Sequence, residues 1–329
     1  MGISGGLRGR LPSWGPLTTR RLRIAMPALG GILLTTALVA ALTLGDAGKG
    51  SASVTPGNSG AGSAVPSPSP VAVLVDPGGL NVNQVVISPD GKTLATADQN
   101  GSTYLWDLAT RSRVAALSDP GSKAVNSVMF SPDGKTLATA DQNGRTFLWD
   151  VATRTLTATL TDFGHAVRVE SAAFSPDGKT LATGDSAGRI YLWDLATRSP
   201  IASLTAPGGY VATVRFSPDG RTLAAAAYSG SAYLWDVATR ALIATLNDPG
   251  ANDYAAVFSP DGKLLATADH SGSTYLWDLA SRVIIATLND PGSQGVESAV
   301  FSPDGKLLAT GDQNGRAYLW DITEGGPSS

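Results

Sequence analysis

Six copies of Ser-Pro-Asp-Gly start at Ser88, Ser131, Ser175, Ser217, Ser259 and Ser302, and each is followed by a Leu-Trp-Asp triplet. Successive copies stand 43, 44, 42, 42 and 43 residues apart. At that period a regular repeat means one supersecondary unit used many times, as in propellers and solenoids. A single unit of this size cannot bury its own apolar face, so neighbouring units must cover one another. Function is therefore expected on the surface that the repetition creates.

Within a unit the residues specify strands and turns. In the second copy, Ala124 to Phe130 reads as an apolar strand that stops at Ser131-Pro132-Asp133-Gly134. Proline presets φ at the second turn position, and glycine takes the positive φ that closes the corner. Thr136 to Ala140 is a second strand leading into Asp141-Gln142-Asn143-Gly144, where Asn-Gly supplies another hairpin. A third strand, Thr146 to Trp149, places Phe147 and Trp149 on one face by its period of two. Asp150 to Arg154 then turns the chain into a fourth strand, Leu156 to Leu160. Each unit is predicted to be a four-stranded antiparallel meander, which makes the repeat body all-β.

These residues resemble the WD-repeat family. The resemblance spans Val71 to Asp321, and all six third strands carry it at Trp106, Trp149, Trp193, Trp235, Trp277 and Trp320, each followed by aspartate. It implies a propeller with one blade per repeat and a structural role for the six tryptophans. Two family features are missing. Asp-Pro-Gly replaces the usual Gly-His dipeptide in four copies, and the position six before each tryptophan, often Asp in the family, is Asn100, Asn143, Ala187, Ser229, Ser271 or Asn314. The family's buried His-Asp-hydroxyl-Trp network is therefore not expected, and apolar packing is expected to hold the blades. The repeats open on Val71 to Val75, which has a fourth-strand pattern, and stop at Asp321 after a third strand. The resemblance thus implies six blades over residues 71–329, with the first strand completing the last blade. A domain-swapped or open ring stays open as an alternative.

The ends of the chain differ in charge. Residues 1–23 carry Arg8, Arg10, Arg20, Arg21 and Arg23 and no acid, whereas from Val71 onward 18 Lys and Arg face 26 Asp and Glu. A body of charge −8 has no basic stripe for a phosphate backbone, so nucleic acid is not an expected partner. Residues 24–44 are apolar and uncharged, and as a helix they would rise about 30 Å, enough to span a bilayer. Arginines before the span keep the N-terminus cytoplasmic and put the repeat body on the outer side of the cell membrane. The alternative is a secretory signal cleaved near Gly45 to Ala47, with Thr19-Arg20-Arg21 resembling a twin-arginine signal. Residues 45–70, rich in Gly, Ser and Pro, read as a disordered spacer.

Chemistry on this scaffold is sparse. Cysteine is absent, and His165 and His270 read as solvated loop residues in different blades. No catalytic residue, cofactor or enzyme activity is expected. Asp98, Asp141, Asp185, Asp269 and Asp312 open the turns between second and third strands. Asp76, Asp119, Asp248 and Asp290 open the Asp-Pro-Gly loops on the same face. A ring of acids suggests a hard cation as a weak alternative to backbone capping. The repeats differ most from one another in those loops. Phe163, His165, Arg168, Tyr210, Tyr228, Asn252 and Tyr254 are expected to bind a protein partner. Two functions follow: a membrane-anchored interaction scaffold, or a sensory ectodomain that takes a small ligand or cation at the channel mouth and signals through a separate protein. The second draws on the likeness of anchor, spacer and propeller to the outer half of bacterial membrane kinases.

Overall fold

The computed structural model describes residues 74–75, 81–161, 167–250, 252–293 and 295–323. Segments 1–23, 24–44 and 45–70 lie outside the described residues, as do Phe163 and His165. No helix among the described residues is long and apolar enough to cross a membrane.

Blade 2 shows how the repeat folds. Its strands Val125–Phe130, Thr136–Asp141, Arg145–Asp150 and Thr155–Thr161 pair antiparallel in chain order. At the corner, the Gly134 N–H donates to the Ser131 carbonyl at 2.8 Å, with Gly134 at φ 70°. The Ser131 hydroxyl donates to Asp133 Oδ1 at 2.6 Å and accepts the Thr136 N–H at 2.9 Å, so serine and aspartate lock the turn that proline and glycine shape. The same bonds recur at all six corners. They also hold the corner carboxyls, Asp133 and Asp177 among them, below the usual range.

Among the described residues five sheets have four strands and the sixth has three. The first strands are Val82–Ile87, Val125–Phe130, Val169–Phe174, Val211–Phe216, Asp253–Phe258 and Val296–Phe301. Each packs on the next in chain order, so together they line a common axis with the blades radiating from it. This agrees with a six-bladed propeller.

The third strands lock the blades by alternation. Leu105 of blade 1 packs with Val125, Val128, Phe130 and Trp149 of blade 2. Leu192 of blade 3 meets Val211, Val214 and Trp235 of blade 4 in the same way. Leucine faces forward and tryptophan backward, as a period of two requires. Trp106, Trp149, Trp193, Trp235 and Trp277 are buried.

Apolar packing is not the whole account, contrary to the sequence expectation. Trp106, Trp149, Trp193, Trp277 and Trp320 each donate their indole N–H to a threonine hydroxyl of the second strand, at 3.0 to 3.2 Å. Thr139 donates onward to Asp119 at 2.8 Å, Thr310 donates to Asp290 at 3.0 Å, and Trp277 also reaches Asp248 at 3.1 Å. The Asp-Pro-Gly aspartate thus supplies the acceptor that ends the relay. Blade 4 has Ala225 and Ala206 where the hydroxyl and the acid would stand, and packs there by contact alone.

Residues 71–73 of the expected closing strand Val71–Val75 lie outside the described residues. Leu74 and Val75 lie in no strand, Val75 is 73% exposed, and no comparable packing joins Val296–Phe301 to Val82–Ile87. Leu319 is 57% exposed, whereas Leu105 is 2% exposed.

Candidate partner-binding site

Opposite the Ser-Pro-Asp-Gly corners, every first strand carries a β-bulge at its start. In blade 5, Asp253 pairs with Asp269 and Ala255 with Ala268, leaving Tyr254 unpaired between them. The same slip frees Asn83, Asn126, Glu170, Ala212 and Glu297. A bulge removes a residue from the ladder and re-aims its side chain, here towards the mouth of the axis. Two further positions flank it. Asn81, Ala124, Arg168, Tyr210, Asn252 and Gly295 precede the strands, and each accepts a backbone hydrogen bond from Gln99, Gln142, Ser186, Tyr228, His270 and Gln313 respectively. The backbone is thus the same in every blade while the three side chains change.

Those side chains link blade to blade, side chain to side chain from Asn126 onward and through the Val125 carbonyl between blades 1 and 2. In blades 1 and 2 it is amide chemistry: Gln99 donates to Asn83 at 3.2 Å, Asn83 to the Val125 carbonyl at 2.8 Å, and Asn126 to the Val169 carbonyl at 3.0 Å. Blade 3 places Arg168 Nε 3.1 Å from Glu170 Oε1. Burial lifts the Glu170 carboxyl above the usual range, and the Arg168 charge opposes the lift. The series continues through aromatic rings in edge-on contact. Tyr210 to Tyr228 is 5.8 Å between centroids, Tyr228 to Tyr254 is 5.8 Å, and Tyr254 to His270 is 5.4 Å. His270 Nδ1 lies 3.2 Å from Gln313 Nε2 in blade 6, and Gln313 also bonds the Glu297 carboxylate. Tyr210 is raised by burial and by the Glu170 charge, and Tyr254 by burial and its hydrogen bond with Tyr228. Tyr228 is 41% exposed and offers the open face of the cluster.

Five of the seven residues expected to form a binding surface are described, and four of them, Arg168, Tyr210, Tyr228 and Tyr254, join this series. Asn252, at φ 70°, supplies the carbonyl that fixes His270. His270 is an exposed turn residue, as expected, and it also belongs to the tyrosine cluster. Glu170, Glu297 and Gln313 were not singled out as site residues. Their signal is that they differ between copies at positions where the backbone does not.

The acids are spent differently from a cation ring. Asp98, Asp141, Asp185, Asp269 and Asp312 are buried, and each turns an oxygen onto the backbone N–H groups of its own hairpin, as in Asp141 with Asn143 and Arg145 at 2.8 and 2.9 Å. Asp119 is pushed up to about 7, first by burial and further by the nearby Asp141 charge. No group of three or more His, Cys, Asp or Glu stands ready for a metal among the described residues.

Radial antiparallel meanders whose third strands end in Trp-Asp, with loops gathered at one mouth, define a β-propeller of WD-type repeats. Residues 80–321 match the family described as the IFT122 first beta-propeller, and the chain belongs to that family. No curated protein matches the chain.

Proposed function

We propose that this protein is a membrane-anchored scaffold whose propeller binds a protein partner at the mouth, centred on Tyr210, Tyr228 and Tyr254. The observation that carries this reading is that the side chains that vary between blades touch one another from Arg168 to Gln313. Tyrosines that keep one polar edge in water beside an apolar body are the residues that interfaces favour. Glu297 flanks the cluster and the repeat body carries −8, so a basic segment is the partner chemistry that fits. The protein binds and does not catalyse. Residues 24–44 hold it in the cell membrane, residues 1–23 remain cytoplasmic, and the spacer 45–70 carries the propeller outside.

Replacing Tyr210 and Tyr254 together with alanine tests the site. Recovery of partners from native membranes should be lost while the melting temperature stays within a few degrees, and unchanged recovery would sink the assignment. Deleting residues 1–44 tests the anchor, since the propeller should then leave the membrane fraction. A second reading, a sensor taking a small ligand in the axis, is favoured by one observation at the far end of that axis.

A further inference from the structure

Arg215 is the fifth residue of the innermost strand of blade 4. The residues in the same place in the other blades are Val86, Met129, Ala173, Val257 and Val300, so the repeat itself needs no charge there. The side chain is only partly exposed. Its Nη1 donates to the Val214 carbonyl at 2.8 Å and to Ser171 Oγ, on the innermost strand of blade 3, at 3.4 Å. The guanidinium therefore lies along the two innermost strands at the wall of the axis. Ser171 Oγ also accepts the Val214 N–H at 3.2 Å, which leaves its own proton free to donate. Among the described residues no carboxylate comes within 4.0 Å of Arg215, and no acceptor meets its Nε or Nη2. Burial pulls the group down to about 10, so it is still a cation at neutral pH.

A partly buried charge normally has a partner of opposite sign, because desolvation is otherwise uncompensated. Arginine's fork of donors matches the two oxygens of a carboxylate or phosphate group. The strand runs from the mouth at Val211 to the corner at Ser217, which puts Arg215 about 13 Å along the axis from the mouth. It is thus separate from the tyrosine cluster.

We propose that Arg215 and Ser171 form an oxyanion site at the corner end of the axis. The oxyanion is either free inorganic phosphate or the carboxylate of an acidic peptide side chain. The site does not depend on the partner surface and would survive its loss.

Thermal unfolding of the full chain at constant ionic strength, with sodium phosphate or with the blocked tripeptide N-acetyl-Gly-Asp-Gly-amide as the probe, tests it. The wild type should gain about 2 to 4 °C near saturation with one of the two. Arg215→Met, which installs the residue of blade 2, should lose that gain. A gain with phosphate alone identifies the free anion, and a gain with the peptide alone identifies an acidic side chain. No gain with either probe, or an equal gain in wild type and variant, overturns the site. Should Arg215→Met fail to fold, phosphorus resonance broadening with the wild type and with Arg215→Lys reads the same question. Broadening should weaken at least tenfold in the lysine variant, and equal broadening counts against the proposal.

Discussion

The two ends of the blades use the same backbone for opposite purposes. At the corners the residues repeat, and so do their bonds: serine to aspartate, glycine to serine, in six copies. At the mouth the bonds of the backbone repeat while the side chains on it run from amides through an ion pair to tyrosines. A groove of about 490 Å³ between blades 2 and 3 at the corner end is lined by repeated residues, including Asp133, Asp177 and Arg198, so each blade junction has similar chemistry to offer. Apart from Arg215 and the missing relay in blade 4, the side chains that distinguish the blades gather at the mouth. Sameness where the chain turns and difference where it bulges separates what holds this protein from what it can recognise.

The largest effect should come from cutting into the repeated part. Trp193→Ala removes a buried indole and should cost about 3 to 5 kcal/mol, read by denaturant unfolding. Thr139→Val comes next, since it leaves the Trp149 N–H and the Asp119 carboxyl without the hydroxyl that joins them. A loss of about 1 to 3 kcal/mol is expected. The corresponding change cannot be made in blade 4, where Ala225 already lacks the hydroxyl. Ala225→Thr there, which forces a larger side chain into a fully buried position, should cost about 1 to 3 kcal/mol.

Titration sharpens the contrast between the two ends. Folded Asp119 holds its proton up to about pH 7, against 3.8 for its ordinary value, so the folded state binds more protons in that interval and stability falls as pH rises through it. Asp119→Asn should flatten this slope, seen as a smaller difference in melting temperature between pH 5 and pH 8. The corner carboxyls act with the opposite sign. Asp133 and its equivalents sit below 3.8, so their contribution is present above that pH and is lost on acidification. The smallest stability effect is expected at the mouth, where the Tyr210 and Tyr254 double variant should stay within a few degrees of wild type.

Much of the fold was legible because turn chemistry is local. Ser131 to Gly134 and Asn143-Gly144 fixed the hairpins, and the strand ends in blade 2 fall within one residue of those read from the sequence. The relay from tryptophan was not foreseen. Its threonine is present in five second strands, but its acid comes from the connector preceding the blade, a contact of about 20 residues in sequence that no pattern within the strand announces. The bulges were equally hidden. Tyr254 and Glu297 stand out in the sequence as differences between copies, but only the register slip shows them outside the ladder. Tyr210, Tyr228 and Tyr254 were legible as differences between copies, and the fold added that they touch. Arg215 was visible as an odd residue in a repeated column, but its want of an acid is a fact of three dimensions.

The central claim is that the protein partner docks at the mouth and not on the corner loops. A photoactivatable phenylalanine analogue placed at Tyr228, and separately at Lys179 beside the blade 3 corner, tests it most directly when crosslinked in native membranes. The account predicts a discrete adduct from position 228, lost when Tyr210 and Tyr254 are alanine, and none from position 179. An adduct from position 179 of equal or greater yield, insensitive to the tyrosines, would contradict it.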